Sequence, residues 1–231
     1  MQFLDRKVEL AALRSLSREG GLAVIWGRRR LGKTRLLVEW CERERGVYTV
    51  ADQSSAELQR AYLARGLAEV LPGFADVVYP TWERLLNRLA TDAAARGFTG
   101  PIVIDELPYL VATSPELPSV LQRWLDHDAR RARLRVALAG SSQRMMQGLV
   151  LGPESPLYGR ARLTLDVQPL APAYLRGAFG KLSAPALVEH WTAWGGVPRY
   201  WELAAERRGD ARARLVGLAL DPIGPLFGEP E

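Results

Sequence analysis

An α/β domain built on a mostly parallel sheet is what this 231-residue sequence predicts, on two observations. Short apolar runs of strand length alternate with segments whose apolar residues recur at helical spacing. The runs are bounded by Gly and Pro, and the intervening segments are long enough to cross back over a sheet. Composition agrees, because 48% hydrophobic and 25% charged residues describe an ordinary globular chain and exclude intrinsic disorder.

The elements follow in order. Asp5 is placed to cap a first helix that runs to about residue 18, where Gly20-Gly21 stops it. Leu22-Ala23-Val24-Ile25-Trp26 reads as a buried strand. A helix over 33–45 turns Leu36, Leu37 and Trp40 inward and ends at Gly46, and a second strand spans 47–51. Two helices follow, one marked by Leu63, Leu67, Val70 and Leu71, the other by Trp82, Leu85, Leu86 and Leu89. Gly100-Pro101 announces a third strand at 102–104. Leu117, Val120, Leu121, Trp124 and Leu125 then fall at i, i+3, i+4, i+7 and i+8, an amphipathic helix. Strands at 136–139 and 163–167 complete a five-stranded sheet, and only helices follow, near 173–179, 184–194, 198–207 and 211–220. The natural division is a core over 1–168 and a small helical part over 169–231.

No apolar run approaches the ~18 residues of a membrane-spanning helix, and the opening residues lack signal-peptide features. The single cysteine, Cys41, has no disulfide partner, and no Cys/His cluster suggests zinc. These features point to a soluble cytoplasmic protein with no membrane partner. Net charge is +5, and apart from Lys7, Lys33 and Lys181 the basic residues are arginines. Two readings stay open: a surface for DNA or another polyanion, centred on Arg123, Arg130, Arg131, Arg133 and Arg135, or arginines spread over solvated helix faces. His127 between Asp126 and Asp128 reads as a solvated helix end, His190 as packing or facing water, and the seven tryptophans as packing.

Gly27-Arg28-Arg29-Arg30-Leu31-Gly32-Lys33-Thr34 fits G-x-x-x-x-G-K-[ST] between a strand and a helix. Glycines let the backbone curl so that several N–H groups face one anion, and the helix that follows adds the positive end of its dipole. Lys33 then reaches the β- and γ-phosphates, and the Thr34 hydroxyl is a ligand for Mg²⁺. With 21 Gly in 231 residues and lysine rare, chance supplies this pattern roughly 0.002 times per chain, so coincidence is a poor competitor. Arg28, Arg29 and Arg30 occupy the loop's free positions and Arg35 follows Thr34 on the helix, which makes 27–35 the expected phosphate-binding set.

The strand at 102–104 ends in Asp105-Glu106. Beside a phosphate loop, Asp105 is placed to hold the Mg²⁺ shell and Glu106 to polarise the attacking water as general base. The strand at 47–51 lies between the two motifs in the chain. That leaves room for a sheet in which one strand separates loop from acids, typical of ATP-driven machines with a glutamate base.

These residues resemble the archaeal-type ATPases of the AAA+/STAND group of P-loop NTPases, and the resemblance covers nearly the whole chain. It rests on Phe3-Leu4-Asp5-Arg6-Lys7-Val8-Glu9-Leu10, the loop and acid motifs, Ala139-Gly140-Ser141-Ser142, Pro156-Leu157-Tyr158-Gly159-Arg160 and Gly195-Gly196-Val197-Pro198-Arg199-Tyr200. It implies a three-layer P-loop sandwich of the glutamate-base class followed by a small helical lid. It also implies an ATPase that uses ATP and Mg²⁺, with ADP as product, and leaves the assembly open between a monomer and a homo-oligomer. Phe3 and Arg6 would line the adenine pocket and Pro198 would meet the base from the lid. Ser141 would sense the γ-phosphate, and Arg160 would serve as arginine sensor or finger, in cis or in trans. The preference for adenine rests on this resemblance; no guanine-reading Asn-Lys-x-Asp segment is present. Such proteins usually continue into a winged-helix portion and a further domain, whereas this sequence ends at Glu231. Two alternative readings share the site: a nucleotide-gated STAND-type switch with slow hydrolysis, and a DNA-associated ATPase.

Overall fold

The computed structural model describes residues 6–17 and 19–229. Contacts divide the chain into two units, one of Lys7–Arg28 with Lys33–Asp166, the other of Arg29–Gly32 with Arg6 and Val167–Glu231.

The larger unit carries the sheet: β1 (Gly21–Trp26), β2 (Val47–Val50), β3 (Pro101–Asp105), β4 (Arg135–Gly140) and β5 (Ala161–Asp166). The order is β2-β3-β4-β1-β5, and every neighbouring pair is parallel. Helix α1 (Lys7–Arg14) precedes β1, and α2 (Lys33–Glu44), α3 (Ala56–Ala68), α4 (Trp82–Arg96), α5 (Leu107–Thr113), α6 (Leu117–Trp124) and α7 (Gln143–Met146) connect the strands. Leu22, Val24, Ile102, Ile104, Val136 and Leu138 pack into one core with the apolar stripes of α3, α4, α5 and α6. Strand alternation turns Ala23, Ile25, Val103 and Ala137, all buried, to the other face, where α2 lies against β2 and β3. Helices on both faces explain why the strands are continuously apolar rather than alternating. The helix α4 shows how sequence sets such an element. The Thr81 hydroxyl accepts from Arg84 N at 3.3 Å to start it, Gly97 at φ 65° ends it, and Trp82, Leu85, Leu86, Leu89, Ala90 and Ala93 form the buried stripe.

One expectation needs correction. The strand that separates the loop strand from the acid strand is β4; β2 lies at the sheet's edge, beyond β3. Every residue of β4 is buried, as a central strand requires, whereas β2 is buried only at Val47. The helix α2 does stop before Gly46, as expected: Arg45 takes a left-handed φ of 53°, and Gly46 N donates to Cys41 O at 2.8 Å. Gly46 is needed for space, because a Cβ there would stand 2.5 Å from Pro101 at the head of β3. Two amphipathic stretches also end in π-helical turns, Leu125–Ala129 after α6 and Gln147–Leu151 after α7.

The smaller unit is helical: α8 (Leu175–Phe179), α9 (Ala184–Trp194), α10 (Pro198–Ala205) and α11 (Ala211–Leu215). Leu170, Leu175, Trp194, Trp201, Ala204 and Leu218 form its core. His190 packs inside it, edge-on to Phe179 at 4.5 Å, with Nδ1 on Ala186 O at 2.8 Å and Nε2 on Arg214 Nη1 at 3.2 Å. No helix among the described residues is long and apolar enough to cross a membrane.

Candidate functional site

A parallel sheet brings the carboxyl ends of all its strands to one edge, and the side chains of interest leave from there. The loop 27–32 follows β1, Asp105 closes β3 with Glu106 just beyond it, and Ser141 follows β4.

In the larger unit, Lys33, Thr34, Tyr48, Asp105, Glu106 and Ser141 form one network. Lys33, buried at the start of α2, places Nζ 3.2 Å from Asp105 Oδ1 and 3.6 Å from Glu106 Oε1. Asp105 is 1% exposed and its carboxylate is saturated with donors. Oδ2 accepts from Thr34 Oγ1 at 3.1 Å and Tyr48 Oη at 2.9 Å, and Oδ1 accepts from Glu106 N at 2.9 Å. Glu106 caps α5 with a left-handed backbone, φ 56°, a strained setting for a residue with a side chain. The Ser141 hydroxyl donates to Glu106 Oε1, and Ser141 N donates to Oε2 at 3.4 Å. A single ammonium thus faces two carboxylates, one multiply bonded and one held at its tip.

Tyr48 is the residue that sequence reasoning missed. Burial, followed by the adjacent Asp105 carboxylate, pushes its hydroxyl pKa well above the ordinary value, so it remains a donor throughout the neutral range. In sequence it reads as one more apolar residue of a strand; only the pairing of β2 with β3 brings it to Asp105.

Within the smaller unit, Arg30 takes a left-handed φ of 68° and Gly32 one of 85°. A Cβ on Gly32 would stand 3.8 Å from Pro198 Cγ, so Pro198 lies directly beside the loop. Arg6 is buried, and its Nη2 donates to Leu31 O at 2.9 Å and to Gln168 O at 2.7 Å, fastening the loop backbone to the chain after β5. Arg30 pairs with Glu229, which also accepts from Tyr200 Oη at 3.0 Å. Arg28, Arg29, Thr34 and Arg35 are exposed. Phe3 lies outside the described residues.

Arg160 is not at this site. Ala161 pairs with Leu22 near the start of β1, whereas the loop follows Trp26 at its end; the intervening strand length is about 15 Å. Its guanidinium is gripped by Asp126, with Nε on Oδ1 and Nη2 on Oδ2 at 2.9 Å each, and Nη1 reaches Pro156 O at 2.9 Å. This corrects the expectation of a cis role: Arg160 points into the opposite edge of the sheet. Cys41 is likewise remote from the chemistry, buried on α2, and burial pushes its thiol up to about 12.

Comparisons with known proteins bear on the family and the fold. An uncharacterised protein of Methanocaldococcus jannaschii is 32% identical over 202 residues, 87% of this chain and 43% of the relative, so the chain spans less than half of that protein's length. The Walker-type ATPase of Pyrococcus abyssi superposes with a TM-score of 0.74 at 18% identity, over 93% of this chain and 71% of that one. Cdc6p of Pyrobaculum aerophilum gives 0.64 at 18% identity, over 92% and 63%. At such identities the two structures speak for the fold, a P-loop ATPase sandwich. Residues 3–203 match the ATPase domain found predominantly in Archaea, and on that match the chain belongs to this family of P-loop ATPases.

Proposed function

We propose that the domain binds ATP with Mg²⁺ and hydrolyses it to ADP and phosphate. The observation that carries this reading is the convergence of Lys33, Thr34, Asp105 and Glu106 at the end of a loop-bearing strand. Backbone N–H groups of 27–34 and the start of α2 receive the phosphates. Lys33 leaves the two carboxylates for the β- and γ-phosphate oxygens, which offer more negative charge. Thr34 Oγ1 and the Asp105 carboxylate are hard oxygen donors 3.1 Å apart, a set that suits Mg²⁺. When bound, that ion neutralises charge on the β- and γ-phosphate oxygens. Glu106 takes a proton from the water whose oxygen bonds to the γ-phosphorus, the β–γ bridging bond breaks, and ADP retains the bridging oxygen. Ser141 orients Glu106 for this step, a role the hydrogen bonds to the carboxylate support.

Tyr48 is assigned as a positioning residue that holds Asp105. Tyr48→Phe is expected to raise roughly tenfold the Mg²⁺ concentration needed for tight ADP binding, read by calorimetry, with little change in metal-free affinity. An unaltered Mg²⁺ dependence would remove the role.

A nucleotide-gated switch is favoured as a second reading by one observation: Arg29–Gly32 shares a contact unit with Val167–Glu231. One experiment addresses both readings. Phosphate release and the affinities for ADP and a non-hydrolysable ATP analogue are measured at fixed Mg²⁺. Steady turnover supports the ATPase. Tight, unequal affinities with almost no turnover support the switch. No binding of any purine triphosphate overturns both.

A further inference from the structure

The edge of the sheet opposite the nucleotide end carries a cleft of about 630 Å³. Arg130, Arg133, Arg160 and Arg162 line it, with Glu19 and Asp126 as the acids. Both acids are already engaged: Asp126 holds Arg160, and Glu19 pairs with Arg162 at 2.8 Å. Arg162 is further steadied by Gly20 O at 3.4 Å. Two guanidinium groups are thereby held in place, and the acids leave no charge to spare. The guanidinium groups of Arg130, Arg131 and Arg133 have no hydrogen-bond or ion-pair partner among the described residues, and all three are exposed.

The backbone fixes where Arg133 stands. Its φ is 52°, and a Cβ on Gly20 would meet its carbonyl oxygen at 2.5 Å, so this turn lies tight against the glycines before β1. Arg133 also lines a second hollow of about 320 Å³, together with Arg131, Phe98 and Thr99. Two hollows that share one arginine form a track, longer than a single small anion needs. Leu22, Leu125 and Leu134 also line the first hollow, and the second offers the half-buried ring of Phe98.

We propose that this track binds single-stranded nucleic acid, its phosphates on Arg130, Arg133 and Arg131 and a base against Phe98. Guanidinium forks match phosphate oxygens two at a time, and an aromatic face beside a cationic groove is the combination that holds a flexible strand without reading its sequence. An acidic peptide has use for the arginines but not for the ring. The inference does not depend on ATP hydrolysis, because the cleft and the Lys33 network occupy opposite edges of the sheet.

The test is fluorescence anisotropy with a short labelled oligothymidylate, its abasic counterpart and a polyglutamate of equal charge, across a salt series. The unaltered chain should bind oligothymidylate best, with affinity falling steeply as salt rises. Arg130→Glu with Arg133→Glu should weaken binding at least tenfold and flatten the log–log salt slope by about 1.4, while thermal melting and ATP turnover stay as they were. Phe98→Ala should cost roughly tenfold on oligothymidylate and nothing on the abasic strand. Ultraviolet cross-linking to a halogenated oligonucleotide should mark the peptide containing Phe98. Equal binding of polyglutamate, undiminished binding by the double variant, a cross-link elsewhere, or no binding at low salt would each overturn the proposal.

Discussion

Glutamine at position 106 is expected to lower phosphate release at saturating ATP by about 10²–10⁴-fold while leaving nucleotide affinity within about twofold. A carboxamide has the size of the carboxylate and keeps an oxygen for the Ser141 hydroxyl, so the left-handed turn at φ 56° and the cap of α5 survive. What disappears is the capacity to accept a proton from water. Binding is assigned to the loop and Lys33; the exchange removes one charge 3.6 Å from Nζ but leaves its closer contact with Asp105, at 3.2 Å, in place. Single-turnover phosphate release beside calorimetric ATP titration separates the two quantities. Turnover equal to that of the unaltered chain would take the base role away from Glu106.

Lys33→Ala should weaken ATP binding by at least about 100-fold, close to 3 kcal/mol. Its ammonium is almost wholly buried, 3.2 Å from Asp105 and 3.6 Å from Glu106, so no surface lysine or arginine replaces it by a small movement. Removal also leaves two carboxylates facing each other without their cation, which strains the empty site. Asp105 nonetheless keeps its bonds from Thr34, Tyr48 and the Glu106 amide. A folded variant with a melting temperature a few degrees lower is therefore expected. Calorimetry on a sample shown to be folded by circular dichroism reads the loss directly, and an affinity within threefold of the unaltered chain would contradict the assignment.

The loop and the two acids were legible in the sequence because their chemistry is local: a run of eight residues, and two neighbours after an apolar strand. Strands and most helices were legible for the same reason, since burial periodicity is written along the chain. Neighbourhood in the sheet was not. That β4 stands between β1 and β3 follows from long-range packing, and its one advance sign was a run apolar enough to be buried on both sides. The same gap hid Tyr48, whose value lies in the adjacency of β2 and β3, and it misdirected Arg160, whose distance from the loop depends on which end of β5 it precedes. The stop of α2 before Gly46 was legible too, whereas the crowding of Gly46 against Pro101 depends on the long-range approach of β3 and was not.

Cys41 has a practical bearing on future spectroscopy. It is the one thiol in the chain, and its burial holds the proton on until about 12, so it contributes almost no thiolate at neutral pH. A cysteine introduced at an exposed position would then be the sole reactive handle for a maleimide dye or spin probe. Such a reporter on the helical residues tests directly whether they are displaced on addition of nucleotide, in a chain that keeps its native cysteine.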